Sequence, residues 1–151
     1  MSASCHDVAE YILKQKGQVS AMKLQKLVFY SLAWHAVWEE QPLFPEPVEA
    51  WINGPVVPAL YSKHKGNWLL SSGMFGGDPA NLSENEEESI DAVLEGYFHL
   101  NAQQLSDLSH SEAPWKDARE GLSDTERGSR QITLEAMVDY YSSLTPSNTM
   151  V

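Results

Sequence analysis

The sequence of 151 residues contains a single cysteine, Cys5, so no disulfide bond can form within the chain. A chain without disulfides suits a reducing compartment. No stretch approaches the ~18 to 20 consecutive apolar residues that a membrane-spanning helix needs, and residues 1–11 lack the basic flank and apolar run of a secretory signal. These absences predict a soluble, cytoplasmic protein that does not contact a membrane.

Basic residues are also scarce, with 10 lysines and arginines against 21 aspartates and glutamates, which gives a formal charge of −11. Residues 1–66 hold six acids and six bases, so residues 67–151, with fifteen acids and four bases, carry the whole excess. Such a field repels the phosphates of nucleic acids and attracts basic surfaces. The sequence therefore predicts no direct nucleic-acid binding and favours a basic protein partner, while leaving open that the surplus acid serves only solubility.

No familiar arrangement of metal ligands or catalytic groups is present. The histidines lie on separate segments without a spacing such as H-x-x-x-H, and the chain has no C-x-x-C pair. Cys5 and His6 are adjacent on a predicted helix, and adjacent helical residues do not face each other. The acidic run at residues 84–91 is typical of a solvated helix face. The sequence thus predicts no catalytic site, no metal and no cofactor.

Most of the sequence has apolar residues at helical spacing, and several of these segments begin with a helix-capping signal. Ser4 with Asp7 and Ser83 with Glu86 have the form of a capping box, which marks the first turn of a helix. The longest helix is predicted over about residues 21–40, covered on more than one side because apolar residues recur around most of it. These patterns predict a mainly α, compact fold around that central helix.

The irregular parts are marked by proline, glycine and polar residues. A small β element is predicted near residues 48–55, where a short strand runs into a tight turn. Residues 71–81 indicate a loop, residues 121–130 a polar, mobile segment, and residues 145–151 a frayed tail. No repeat or long linker divides the chain, so residues 1–151 are predicted to form a single domain.

Two histidines admit both a structural and a functional interpretation. His35 falls on the apolar stripe of the central helix beside Trp34, either as a core histidine with one hydrogen bond or as part of a functional cleft. His110 precedes Trp115 in a polar segment, which is either a loop clamped by that tryptophan or the edge of a pocket. The residues alone leave both pairs of alternatives open.

A third segment carries Trp51 followed by Asn53, Gly54 and Pro55. It is either a tight turn or the lip of a binding site.

Several segments of the chain also form an ordered succession that is more specific than any one of them alone. They are MKLQKLVFY at 22–30, AWH at 33–35, PLF at 42–44, EAW at 49–51, NGPVVPALY at 53–61, LSDLSH at 105–110, PW at 114–115, and residues 132–141.

This succession resembles the Panacea domain, also called the SocA-like or phage-associated GepA-like domain, over about residues 5–144. The resemblance implies a compact, mainly helical fold with a small strand element and no catalytic residues. Positions that match the signature, Lys26 among them, are expected to form the core and a groove for a partner. The candidate groove residues are Trp34, His35, Trp51, Asn53, Gly54, Pro55, Tyr61, His110 and Trp115.

The resemblance also implies a role in a bacterial or phage toxin–antitoxin pair. The leading hypothesis is a protein-binding module that neutralises a cognate toxin directly, and the alternative is a proteolytic adaptor that delivers the toxin to a ClpXP-type protease. From the enzyme class, a small hydrolase or transferase using His110 or His35 is kept as a competitor. A homodimer is plausible because two-fold dimers are the commonest soluble assembly.

Overall fold

The described part of the chain forms seven α-helices and five short strands. The computed structural model describes residues 3–144, so the tail predicted to fray, residues 145–151, lies outside it. In chain order the elements are α1 (Cys5–Lys16), β1 (Val19–Ser20), α2 (Ala21–Glu39), β2 (Val48–Trp51), β3 (Gly54–Val56), α3 (Pro58–His64), β4 (Leu69–Leu70), a 3-10 turn (Pro79–Asn81), α4 (Glu84–Tyr97), α5 (Ala102–His110), α6 (Ala113–Ala118), β5 (Arg130–Ile132) and α7 (Leu134–Ser142). The predicted mainly α fold with a small β element is confirmed. Within residues 3–144 no helix combines the length and the apolar character that crossing a bilayer requires.

Most of the longer helices begin where a side chain caps them. The side chains of Ser4, Ser83 and Asn101 each accept a hydrogen bond from the backbone amide of the residue three positions later. The side chain of that later residue accepts a hydrogen bond from the backbone amide of the cap residue in return. Helices α1, α4 and α5 therefore begin with complete capping boxes. Ser20 and Thr133 cap α2 and α7 through one hydrogen bond each. The start signals in the sequence therefore locate these helix N-termini.

Helix α2 is the centre of the fold because apolar residues occupy almost every face of it. It packs against α1, α4, α5 and α7, and Leu24, Leu27 and Val28 on it are fully buried. It ends one residue earlier than predicted, at Glu39. Helical spacing places Trp38 on the same apolar stripe as Trp34 and His35 and predicts that it points inward. It is instead 45% exposed in the last turn, where its ring stacks on that of Trp34.

Three short strands form a sheet beside α2. β2 and β3 make an antiparallel hairpin in which Trp51 pairs with Gly54, in agreement with the strand and turn predicted near residues 48–55. β5 pairs antiparallel with the other edge of β2, with Ile132 opposite Val48. The sequence did not predict β5, because its three residues follow a polar stretch and find their partner far away in the chain. β1 and β4 form a separate two-residue pair.

A proline disfavours helix at the residue before it, so Pro114 predicts that the stretch from His110 to Pro114 is irregular. This prediction is wrong at its end, because helix α6 begins at Ala113. Pro114 is accommodated because the first-turn amides of a helix have no acceptor within the helix, so a missing N–H costs nothing there.

The end of the last helix also differs from expectation. The apolar spacing of Met137, Val138 and Tyr141 continues to Leu144 and predicts that it points inward, but Leu144 lies beyond the end of α7 and is 48% exposed.

A buried carboxylate joins three helices in the core. Glu112, which directly precedes α6, is 5% exposed, and its Oε1 accepts the hydroxyl of Tyr30 at 2.8 Å and the hydroxyl of Tyr141 at 2.7 Å. Burial raises the pKa of Glu112 above its usual value, although the two hydroxyls act to lower it. The network ties α2 and α7 to the start of α6, so its loss is expected to affect the whole core.

Two carboxylates of α1 fasten the loop at residues 71–81. Asp7 accepts the amide of Asp78 at 2.8 Å, and Glu10 accepts the amide of Gly73 at 2.8 Å. These bonds satisfy backbone groups that would otherwise need water. The predicted loop is therefore held against α1 by contacts that its own sequence does not reveal.

Gly77→Ala is expected to destabilise the protein by about 1–3 kcal/mol, because the added methyl group would overlap the backbone carbonyl of His6. Gly96→Ala is the matched control, since a Cβ at Gly96 in α4 meets nothing within 4 Å. The control should stabilise by up to about 1 kcal/mol through helix propensity. Urea unfolding measures both, and an unchanged midpoint for Gly77→Ala would show that the loop does not lie against α1.

Candidate functional site

A cavity of about 670 Å³ opens between the N-terminal part of α2, the β2–β3 hairpin and α3. A space of this size fits a small ligand or the side chains of a partner. The segment before β5 forms one edge of it, and its walls are mainly apolar and aromatic. Among the residues that line it are Ala21, Met22, Lys26, Trp51, Asn53, Tyr61, His64 and Arg127.

Three of the predicted candidates, Trp51, Asn53 and Tyr61, line this cavity. The rings of Trp51 and Tyr61 meet edge to face, with centroids 5.0 Å apart. Trp115 supports them from behind, because its Nε1 donates to the carbonyl of Trp51 at 2.7 Å, and the ring of His110 stacks on Trp115 at 4.1 Å. The fold thus brings the hairpin candidates and the later histidine–tryptophan pair to one place.

Gly54 and Pro55 form the start of the second hairpin strand. Pro55 lies opposite Ala50 in the ladder, and Gly54 has a φ of +119°, which side-chain-bearing residues rarely adopt. A Cβ at Gly54 would come within 2.5 Å of the Cε of Lys26. Glycine is therefore needed here both for the backbone conformation and for the close approach of the lysine.

Trp34 and His35 lie away from the cavity lining, in the core between helices. The Nε1 of Trp34 donates to the hydroxyl of Tyr97 at 2.9 Å, and the Nδ1 of His35 is 2.8 Å from the Oγ of Ser89. His35 is buried, and burial lowers its pKa, which favours the neutral ring. This is the arrangement that the core-histidine interpretation describes, so the nine candidates divide into a cavity group and a core pair.

Lys26 is a site residue that neither composition nor spacing singled out. It is 1% exposed and yet lines the cavity. Among residues 3–144, no hydrogen bond and no ion pair engages its Nζ, and burial lowers its pKa from the usual 10.5 to about 8. A signal was available, because a lysine between Leu24 and Leu27, on a helix that is apolar all round, has no solvated face to occupy.

Cationic side chains face the cavity even though the whole protein carries a charge of −11. Lys26 and Arg127 line it, and none of its lining residues in the described chain is an aspartate or glutamate. His64 also lines it, but burial lowers the pKa of His64 and so favours its neutral ring. Arg119, itself 3% exposed, donates to the carbonyl of Ser123 at 3.0 Å and thereby holds the segment that carries Arg127. The stretch predicted as polar and mobile is thus fastened beside the cavity.

A second group of reactive side chains lies at the start of α1. Among the described residues, Cys5, His6 and Glu46 are the set whose potential metal-ligand atoms all lie within 4.8 Å of one another. The Sγ of Cys5 is 3.9 Å from the Nδ1 of His6, a proximity that helical spacing did not predict. Burial, and then the charge of Glu46, raises the pKa of the Cys5 thiol. A protonated thiol is a poor ligand and a poor nucleophile, so this group is better explained as support for the helix start.

His110 has an unusual environment behind the cavity. Its Nε2 is buried and has no hydrogen-bond partner within the described part of the chain. Burial is the main cause that lowers the pKa of His110, followed by the nearby charge of Lys26. The two histidines considered for catalysis therefore have different surroundings, since His35 is paired with Ser89 and His110 with an aromatic ring.

Comparison with known protein families gives a match over the middle of the chain. A family model described as antitoxin SocA-like, Panacea domain matches residues 24–116, which is more than half of the chain. No curated protein and no solved structure is significantly similar to it. The matched span runs from α2 into α6 and includes Lys26, Trp51, Tyr61 and Trp115. The resemblance seen in the sequence is confirmed: the chain belongs to the antitoxin SocA-like, Panacea domain family, whose membership indicates a toxin–antitoxin role.

Proposed function

We propose that this protein is an antitoxin that neutralises a cognate protein toxin by binding it directly, without catalysing a reaction. The observation that carries the proposal is the family match over residues 24–116, which contains the hairpin and the aromatic wall of the cavity. Aromatic side chains around a concave surface are common anchors of protein–protein contacts. The proposed contact surface is the cavity together with its rim.

The exposed indole of Trp68 supports this placement. Trp68 is 79% exposed and its neighbour Leu69 is 44% exposed. The carbonyl of Trp68 accepts the amide of Ala21 at 2.9 Å, and Ala21 lines the cavity. Large apolar side chains left in solvent beside a concave surface mark interaction sites. Trp68 and Leu69 are therefore proposed as the rim on which the toxin docks.

The charge distribution supports a basic toxin. Residues 67–151 carry the acidic excess, and the acids Glu84, Glu88, Asp91 and Glu95 are exposed along α4. Opposite charges speed the encounter of two proteins more than they strengthen the final complex. The association rate with the toxin should accordingly fall as salt is added, because exposed charges are screened.

Trp68→Ala is expected to weaken toxin binding by about tenfold or more, the usual effect of removing a tryptophan anchor. The partner is the protein encoded beside this one, and calorimetry with both purified proteins measures the affinity. Trp38→Ala is the matched control, because Trp38 is also exposed, at 45%, but lies at the opposite end of α2. Equal losses in both variants, or no loss in either, would place the toxin elsewhere.

The adaptor hypothesis keeps one specific observation in its favour. Trp38 and Leu144 are exposed apolar residues on either side of the ring contact between Trp34 and Tyr141. An adaptor needs a second surface for the protease, and this patch is available while the cavity holds a toxin. The toxin's half-life with and without a ClpXP-type protease separates the two functions, because direct neutralisation leaves the half-life unchanged.

A further inference from the structure

Lys26 is an unusual residue for the wall of a cavity, because its side chain is 1% exposed and its ammonium has no partner within residues 3–144. Removing a charge from water is costly unless an opposite charge or several hydrogen bonds replace the water. Lys26 has neither within the described residues, and its long side chain runs past Gly54, where only a glycine leaves room for it. The shape of the hairpin thus preserves a site for the amine instead of excluding it from the cavity.

Other groups at the cavity also favour a negatively charged ligand. Arg127 lines it as a second cation, and its lining includes no carboxylate among the described residues. The first residues of α2, Ala21 and Met22, also line it, so the positive end of the helix dipole is close. Because the rest of the protein is strongly acidic, this local excess of positive charge is not a consequence of overall composition.

We infer that the cavity binds a carboxylate group carried on an apolar or aromatic body, with the Lys26 ammonium pairing with the carboxylate and with Trp51 and Tyr61 packing against the body. The Asn53 amide lies on the same wall and can donate a hydrogen bond to the second carboxylate oxygen. A singly charged carboxylate costs less to remove from water than a phosphate dianion does, so it is the better match for a cavity whose walls are mainly apolar. This inference rests on the proposed function in that the toxin is taken as the source of the carboxylate.

A matched pair of small probes tests the site in the free protein. 3-Phenylpropionate is expected to bind about tenfold or more tightly than 3-phenylpropionamide, which has the same body without the charge. Lys26→Met should abolish this preference while leaving the weak binding of the amide, and Lys14→Met, at an exposed position on α1, should retain it. Calorimetry gives the affinities, and the indole N–H signal of Trp51 reports the position of the ligand.

Three results would overturn the inference: no binding of the acid, equal binding of acid and amide, or a preference that survives in Lys26→Met. Displacement of the acid by inorganic phosphate at comparable concentration would also overturn it, because the site would then select charge alone. Failure of the probes together with intact toxin binding would remove the carboxylate site and leave the proposed function standing.

The toxin complex then distinguishes the source of the carboxylate. If the toxin supplies it, Lys26→Met weakens the complex about tenfold or more, and an excess of 3-phenylpropionate competes with the toxin. If the probes discriminate but toxin affinity is the same in both proteins, the carboxylate site is upheld, its ligand is a free small molecule, and the link to the toxin is rejected.

Discussion

Replacing Lys26 by methionine is expected to stabilise the protein by about 3 kcal/mol at pH 7, because lowering a pKa by one costs the charged form about 1.4 kcal/mol. The cause is burial, which lowers the pKa of the ammonium from 10.5 to about 8. Methionine has a similar volume and carries no charge, so it keeps the packing and removes the cost of burying the ammonium. Urea unfolding at pH 7 measures the difference.

The pH dependence of this difference has a definite sign. Between pH 8 and 10.5 the unfolded chain still holds the Lys26 proton and the folded protein has lost it, so wild-type stability rises with pH relative to the variant. The advantage of Lys26→Met should therefore shrink through this window and vanish above it. Groups that titrate in both proteins cancel in the comparison. A variant less stable than wild type at pH 7 would show that the ammonium has a partner in the folded protein.

Glu112→Ala is expected to destabilise the protein by about 3–5 kcal/mol, because it leaves two buried hydroxyls without an acceptor and opens a void between three helices. Tyr30 and Tyr141 both donate to the same carboxylate oxygen, so the alanine variant removes the acceptor of both hydroxyls at once. Chemical unfolding followed by tryptophan fluorescence measures the loss.

Glu112→Gln is the matched control, because it keeps an oxygen acceptor and nearly the same volume. Its destabilisation should be much smaller than that of the alanine variant. The pKa of Glu112 is higher in the folded protein than its unfolded value of 4.5, so protonation of this carboxyl stabilises the folded state. That stabilisation is complete below pH 4.5 and is lost as the pH rises through the folded pKa. The stability of wild type relative to the glutamine variant should therefore increase as the solution is made acidic. Equal losses in the two variants would show that the charge, and not the acceptor, holds the network.

Local signals account for what the sequence predicted well. The capping boxes and the apolar pattern of α2 depend on residues within a few positions of each other, so the helix starts and the central helix followed directly from them. The hairpin was also visible, because its strand and turn are contiguous. Family resemblance then indicated which of the separate segments belong to one scaffold.

Contacts between distant segments account for what the sequence did not predict. The pairing of β5 with β2 depends on partners far apart in the chain, and so does the hydrogen bond at 3.2 Å by which Arg119 donates to the carbonyl of Ala50 in β2. The cavity itself arises only when α2, the hairpin and α3 come together. For this reason Lys26, although it is one of the positions that match the family signature, was not among the candidate groove residues, while Trp34 and His35 on the same helix were. Residue type indicated chemistry, but only the packing decided which side chain faced the cavity and which faced the core.

Growth of cells that lack the ClpXP-type protease and express the neighbouring toxin tests direct neutralisation most directly. Co-expression of the wild-type protein is predicted to restore growth, with the toxin remaining intact in a stable complex, and Trp68→Ala should restore it poorly. Continued arrest in these cells, with rescue only where the protease is present, would contradict neutralisation by binding.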